Sequence, residues 1–222
     1  MHIYFKTRHT VLVILASMVI ESLVLVLGSK PLVIYHDSGI VTFAPATPLQ
    51  ILVVGILTLG LSGRSEQFEF PGVRPLRLLR FFNASVLVIV GTLGACLVSL
   101  LGPAGAPESL TAGTLAPMRA FMGLFGVALI VVAFTDMRLG AICALPVVVV
   151  PIAFDMGQFP GGQVVGFVLA EGRSPPAWIS AFAMLSVGLI AFSVLYSERN
   201  SPSSVRRSIS DTRSRRRKQA SW

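Results

Sequence analysis

Six apolar runs, each close to 20 residues, alternate with gaps rich in charge, glycine and proline along this chain. A helix of about 20 apolar residues is long enough to cross the hydrocarbon core of a bilayer. The pattern predicts spans at Thr10–Leu27, Val41–Leu61, Ala84–Leu101, Met118–Thr135, Gly140–Met156 and Trp178–Tyr196. The runs are continuous and do not alternate with period two, so they read as helices and not as barrel strands. Pro45 and Pro48 delay the regular start of the second span, and Trp178 and Tyr196 bracket the sixth as interface anchors. The expected class is an all-α polytopic membrane protein. Residues 1–197 form a domain of six transmembrane helices, and residues 198–222 form a tail.

The gaps differ in length and character. The one after span two is long, SGRSEQFEFPGVRPLRLLRFFN, whereas spans four and five are joined by a tight turn around Asp136, Met137 and Arg138. The gap between spans one and two, GSKPLVIYHDSG, reads as a loop. Between spans five and six, residues 158–177 contain the apolar piece Val164 to Ala170, flanked by Gly161-Gly162 and Pro175-Pro176. It is too short to span, and reads either as a re-entrant or interfacial helix or as a plain ordered loop. From Glu198 onward the chain is rich in Ser and Arg and almost devoid of apolar residues, which predicts a disordered basic tail.

Charge then sets an orientation. Of 18 Lys and Arg residues, 15 fall in alternate gaps or the two ends, and only Lys30, Arg119 and Arg173 fall in the others. Positive charge is retained on the cytoplasmic side, so the expected topology is N-in and C-in. The net charge of +8 is explained by an anionic leaflet better than by nucleic acid, because eight of the cations lie in the last 24 residues. Charged residues make up 13% of the chain, about half the share in a soluble domain. The expected location is a bacterial plasma (inner) membrane, multi-pass. The short basic start before span one resembles a signal peptide, but no A-x-A site follows, and the run is read as a retained span.

Few residues offer chemistry. Cys96 and Cys143 lie far apart in apolar runs and show no metal spacing. Gly60-Leu61-Ser62-Gly63 matches the GxSG of rhomboid-type proteases, but His2, His9 and His36 all lie outside the spans, so Ser62 has no base. No GxxxxGK[ST] or HExxH occurs. No catalytic residue and no metal site are therefore expected. Glu21 is the one acid well inside a span, where an isolated charge is costly, so it is a candidate proton or substrate site. Pro146 and Pro151 break the hydrogen-bond ladder of span five, and Asp155 lies at its outer end. With Glu21 they outline a candidate substrate path. Arg119, near the outer end of span four, reads as a partner for Asp155 or as solvated at the interface. Gly91, Ala95 and Ser99 form a stripe of small residues that permits close helix approach.

The segment 62–83 carries the most specific pattern. Glu66 and Glu69 precede Pro71 and Gly72, and Arg74-Pro75-Leu76-Arg77-Leu78-Leu79-Arg80 begins a helix. Arg74, Arg77 and Arg80 share one face and Leu76 and Leu79 another, which predicts a short amphipathic helix at the inner interface, with the arginines in water.

With this segment, the tight turn between spans four and five and the returning outer piece, the arrangement resembles the permease subunits of ABC-type exporters with six-helix halves. In that family the cytoplasmic segment after span two carries the coupling helix. Glu66, Glu69, Gly72, Pro75, Leu76 and Arg77 are similar to it. The resemblance implies a permease that moves a hydrophobic or amphipathic substrate (a lipid, peptide or drug). It implies a second permease subunit, the same or related, and a cytosolic ATPase docked on Glu66, Glu69, Arg74, Leu76, Arg77, Leu79 and Arg80. ATP and Mg would be bound by that partner, with no cofactor in this chain. Alternatives left open are the substrate-binding membrane component of an uptake transporter and a non-transport scaffold subunit.

Overall fold

The computed structural model describes residues 10–27, 32–36, 39–43, 46–61, 76–101, 115–153, 167–168 and 174–196. Within them lie six α-helices: α1 (Thr10–Leu27), α2 (Ala46–Leu59), α3 (Leu76–Leu101), α4 (Ala116–Phe134), α5 (Met137–Ala153) and α6 (Pro175–Ala191). A π-helical turn, Phe192–Tyr196, extends α6. Each predicted span corresponds to one helix. The tail, Ser62 and the residues from Asp155 to Gly166 lie outside the described residues.

Three differences have physical causes. The gap after α1 is not only loop: Leu32–His36 (β1) and Gly39–Phe43 (β2) pair antiparallel, with Leu32 opposite Phe43 and His36 opposite Gly39. Val33, Ile34, Ile40, Val41 and Thr42 are β-branched and favour strand. Span two therefore starts at Ala46, not Val41, beyond the Pro45 that a helix excludes from its interior. The third difference is that α3 runs unbroken from Leu76 to Leu101, 26 residues. No separate amphipathic helix exists over Leu76–Phe82; these residues are the first turns of the span itself.

Local signals explain several helix ends. Pro175 and Pro176 occupy the first two positions of α6 after Ser174, where a missing N–H costs nothing. Between α4 and α5 only Thr135 and Asp136 intervene. The Asp136 carboxylate accepts the Leu139 backbone N–H at 2.9 Å, capping α5.

α4 is the centre of the bundle. It packs against α2, α3, α5 and α6, and 13 of its 19 residues are buried. Phe121, Phe125 and Leu129 of α4 meet Leu57, Leu87 and Phe192 in one apolar core. The closest approach is to α6. A Cβ on Gly126 would stand 2.5 Å from the Leu185 nitrogen, and one on Gly188 would run into the Gly126 carbonyl. The stripe on α3 also faces this helix: Gly91 lies under the Phe121 ring, and Ala95 is buried.

Contacts fix the helix directions. Gly60 at the end of α2 meets Val13 at the start of α1, Gly55 lies beside Ala141 early in α5, and Gly140 meets Val132 late in α4. α6 crosses α4 at Gly126, with Met184, Leu185 and Gly188 against it.

The outside of the bundle is apolar. Val11, Leu15, Met18 and Val19 of α1, Leu93, Leu97 and Leu100 of α3, Ile142 and Leu145 of α5, and Ile179 and Ile190 of α6 are all exposed. Apolar surface of that extent calls for lipid or a protein partner. Three helices, Arg80–Val98, Ala116–Phe134 and Pro175–Leu195, are long and apolar enough to cross a membrane, and three shorter apolar helices accompany them.

Candidate functional site

Glu21 lies on the buried face of α1, 6% exposed, one turn beyond Ser17, which is also buried. From α2, Gln50 approaches it. Gln50 is fully buried, and its Nε2 donates to Glu21 Oε2 at 3.2 Å. From α3, Gly94 closes the third side: a Cβ there would fall 2.9 Å from Glu21 Cγ and 3.1 Å from Oε1. An added methyl there would force the Glu21 side chain to shift, so glycine lets α3 pass close beside the carboxyl. By helix rise, Glu21 stands about 9 Å from the Leu27 end of α1, Gln50 about 6 Å into α2, and Gly94 about 10 Å from the Leu101 end of α3. All three meet near the end of the bundle opposite the one where α1 begins.

The pair is incompletely bonded. Glu21 Oε1 and Gln50 Oε1 are buried and have no hydrogen-bond partner among the described residues. A buried orphan of this kind costs about 1–3 kcal/mol. Toward the other end, the Thr58 hydroxyl of α2 is buried and donates to the Val54 carbonyl at 2.7 Å, and the Ser17 hydroxyl donates to the Ile14 carbonyl at 2.8 Å. These two hydroxyls are bonded to their own helices, whereas on α3 the Thr92 hydroxyl is buried without a hydrogen-bond partner among the described residues.

The other candidate residues are not gathered here. Pro146 is exposed on the surface of α5, away from the core, and Pro151 lies in the last turn of that helix. Asp155, Glu66, Glu69 and Arg74 lie outside the described residues. Leu76, Arg77 and Leu79 belong to the opening turns of α3. Arg80 departs from expectation: it is 3% exposed, not in water. It heads the face Arg80–Asn83–Ala84–Leu87, which turns into the bundle. Asn83 on that face is fully buried, and neither of its amide atoms has a hydrogen-bond partner among the described residues. Arg119 is likewise fully buried, so it is not solvated at the interface.

The apolar piece between α5 and α6 is described at two residues. Phe167 and Val168 form a turn, both are buried, and the Phe167 ring occupies the space beside Gly123 of α4. The chain here folds back into the bundle as a turn.

Sequence reasoning found Glu21 but missed Gln50, Gly94 and Asn83. Gln50 is the one carboxamide in its apolar run, and that was the available signal; nothing in the sequence distinguishes Gly94 from its neighbour Gly91. Among the described residues no group of three His, Cys, Asp or Glu side chains is placed to hold a metal ion.

Comparison with known proteins gives no relative: no protein-family model, no curated protein and no solved structure matches the chain. The fold itself defines the class, an apolar helical bundle with helices fit to cross a membrane and a buried acid–amide pair near one end.

Proposed function

We propose that this chain is the membrane-spanning permease subunit of an ATP-driven ABC-type exporter that moves a hydrophobic or amphipathic substrate. It crosses a bacterial plasma membrane six times with both ends in the cytoplasm, and pairs with a second permease subunit and cytosolic ATPases. The observation that carries this reading is the turn at Phe167–Val168, buried against Gly123 between α5 and α6. In such permeases the outer segment between the last two spans often dips back into the membrane, and a buried turn at this place supports the reading. The charge split of 15 to 3 supports the topology.

The burial of Arg80 narrows the docking surface. A partner would meet Glu66, Glu69, Arg74 and Arg77, while Arg80 serves the bundle. Arg74→Glu with Arg77→Glu is then expected to abolish copurification of an ATPase with the tagged full chain. Two charge-assisted contacts at about 1.5–3 kcal/mol each amount to roughly 10²- to 10⁴-fold in affinity. Folding should be unchanged, read by thermal melting. If the wild-type chain brings down no ATPase from its native membranes, the exporter reading falls.

Topology has its own test. Cysteines at Ser38 and Ser109 should label with an impermeant reagent from outside, and cysteines at Ser65 and Ser203 should not. Ser174 is a poor position for this purpose because it is buried at the start of α6. Labelling of Ser65→Cys from outside overturns the orientation.

A further inference from the structure

The hydrogen-bond account of Glu21 and Gln50 is short by one hydrogen. Gln50 Nε2 donates to Glu21 Oε2, and two acceptors remain, Glu21 Oε1 and Gln50 Oε1, both buried. An acid and a primary amide complement each other in one arrangement. The amide N–H donates to one carboxyl oxygen, and the other carboxyl oxygen carries a proton that it donates to the amide oxygen. A single proton then satisfies both orphans. An ionised carboxylate satisfies neither and sets two oxygen lone pairs against each other.

Among the described residues no other hydrogen bond reaches either orphan oxygen. Among the described residues no charged side chain is set against Glu21; the element packed on one side offers the neutral Gln50, and α3 offers Gly94. On the α3 side Gly94 brings the backbone close to the carboxyl, where a Cβ would stand 3.1 Å from Oε1. Val24 of α1 and Val53 and Val54 of α2, each about one turn from the pair, are buried, and the nearby Ser17 hydroxyl is already bonded to the Ile14 carbonyl.

We infer that Glu21 and Gln50 form a proton-binding site inside the bundle, with Glu21 held as the un-ionised acid, its Oε1–H donating to Gln50 Oε1 while Gln50 Nε2–H donates to Glu21 Oε2. The ring of two hydrogen bonds ties α1 to α2. Loss of the proton removes one of the two bonds and leaves a charge in an apolar setting, so proton release and separation of α1 from α2 are linked. The site is independent of the exporter reading, because it needs neither the ATPase nor a second permease.

The test uses the purified full chain in phosphatidylcholine nanodiscs at neutral pH. Infrared spectra should show the carbonyl stretch of an un-ionised carboxyl in the wild type. The band should vanish in Glu21→Gln and move to higher frequency in Gln50→Leu, which removes both hydrogen bonds. Glu21→Gln keeps the shape and the donor of the acid, so its melting temperature should match the wild type. In parallel, dicyclohexylcarbodiimide, which adds to un-ionised carboxyls within membranes, should give a mass adduct on the wild-type peptide containing Glu21. This measurement needs no variant to fold. Absence of both the band and the adduct overturns the proposal. A band unmoved by Gln50→Leu removes Gln50 from the site and overturns the paired arrangement.

Discussion

Gly126→Leu should prevent α6 from seating on α4 and leave most of the chain misfolded in detergent. At Gly126 the obstacle to a side chain is backbone, the Met184–Leu185 peptide, which cannot rotate out of the way. Overpacking costs about 1–3 kcal/mol where side chains can adjust, and more where they cannot. Here the expected loss is about 3 kcal/mol or more, and Gly188→Leu should match it, because its obstacle is the Gly126 carbonyl. Gly55→Ala is the contrast. Its nearest new neighbour would be the Ala141 carbonyl at 3.9 Å, an ordinary contact, so relief of glycine's chain entropy should stabilise by about 0.5–1 kcal/mol. Thermal melting of the three variants, followed by the loss of monodisperse protein, decides the matter. A normal melting curve for Gly126→Leu would mean that the helices do not cross there.

The second large effect is expected at Phe167. The ring is 2% exposed and fills the space that Gly123 leaves on α4. Phe→Ala at such a site leaves a cavity and costs about 3–5 kcal/mol. Because Phe167 belongs to a turn and not to a spanning helix, the loss should appear first as release of its segment. Limited proteolysis should cut between α5 and α6 in Phe167→Ala under conditions where the wild type resists. Gly123→Ala should reproduce the effect from the other side, since the added methyl takes the place of the ring. If Phe167→Ala resists proteolysis like the wild type, the buried turn is not what holds the segment.

Much of the fold was legible because the membrane-spanning signal is length. Six runs of apolar residues gave six helices, but the fifth and sixth begin about a turn earlier than the runs suggest, at Met137 and Pro175, where Asp136 caps one and Pro175-Pro176 open the other. Failure came where two signals overlap. Val41, Thr42 and Phe43 are apolar enough to extend span two, but they are also strand formers placed opposite Leu32, Val33 and Ile34. Counting hydrophobicity merged them with the helix; reading β-branching on both sides of Asp37-Ser38-Gly39 would have separated them.

The arginines show a different limit. Spacing of three places Arg77 and Arg80 near one another on a helix but does not say which way that face points. At Arg80 it turns toward Leu87 and the core, and burial of Arg119 was equally invisible. Glu21 stood out because an acid within a span is rare. Its neighbours did not, because they come from helices 29 and 73 residues away in the chain.

The central position of α4 also has a consequence for how the protein is made. The helix leaves the ribosome before its main neighbour, α6, has been translated, with the Gly126 surface not yet covered by it. Gly188 lies 62 residues further along the chain. At about 5–20 residues per second, synthesis leaves a wait of roughly 3–12 s. For that interval the Gly126 notch of the central helix has no α6 seated in it. Assembly of this bundle is therefore completed late, with the core closed when α6, the last of the described helices, seats against α4.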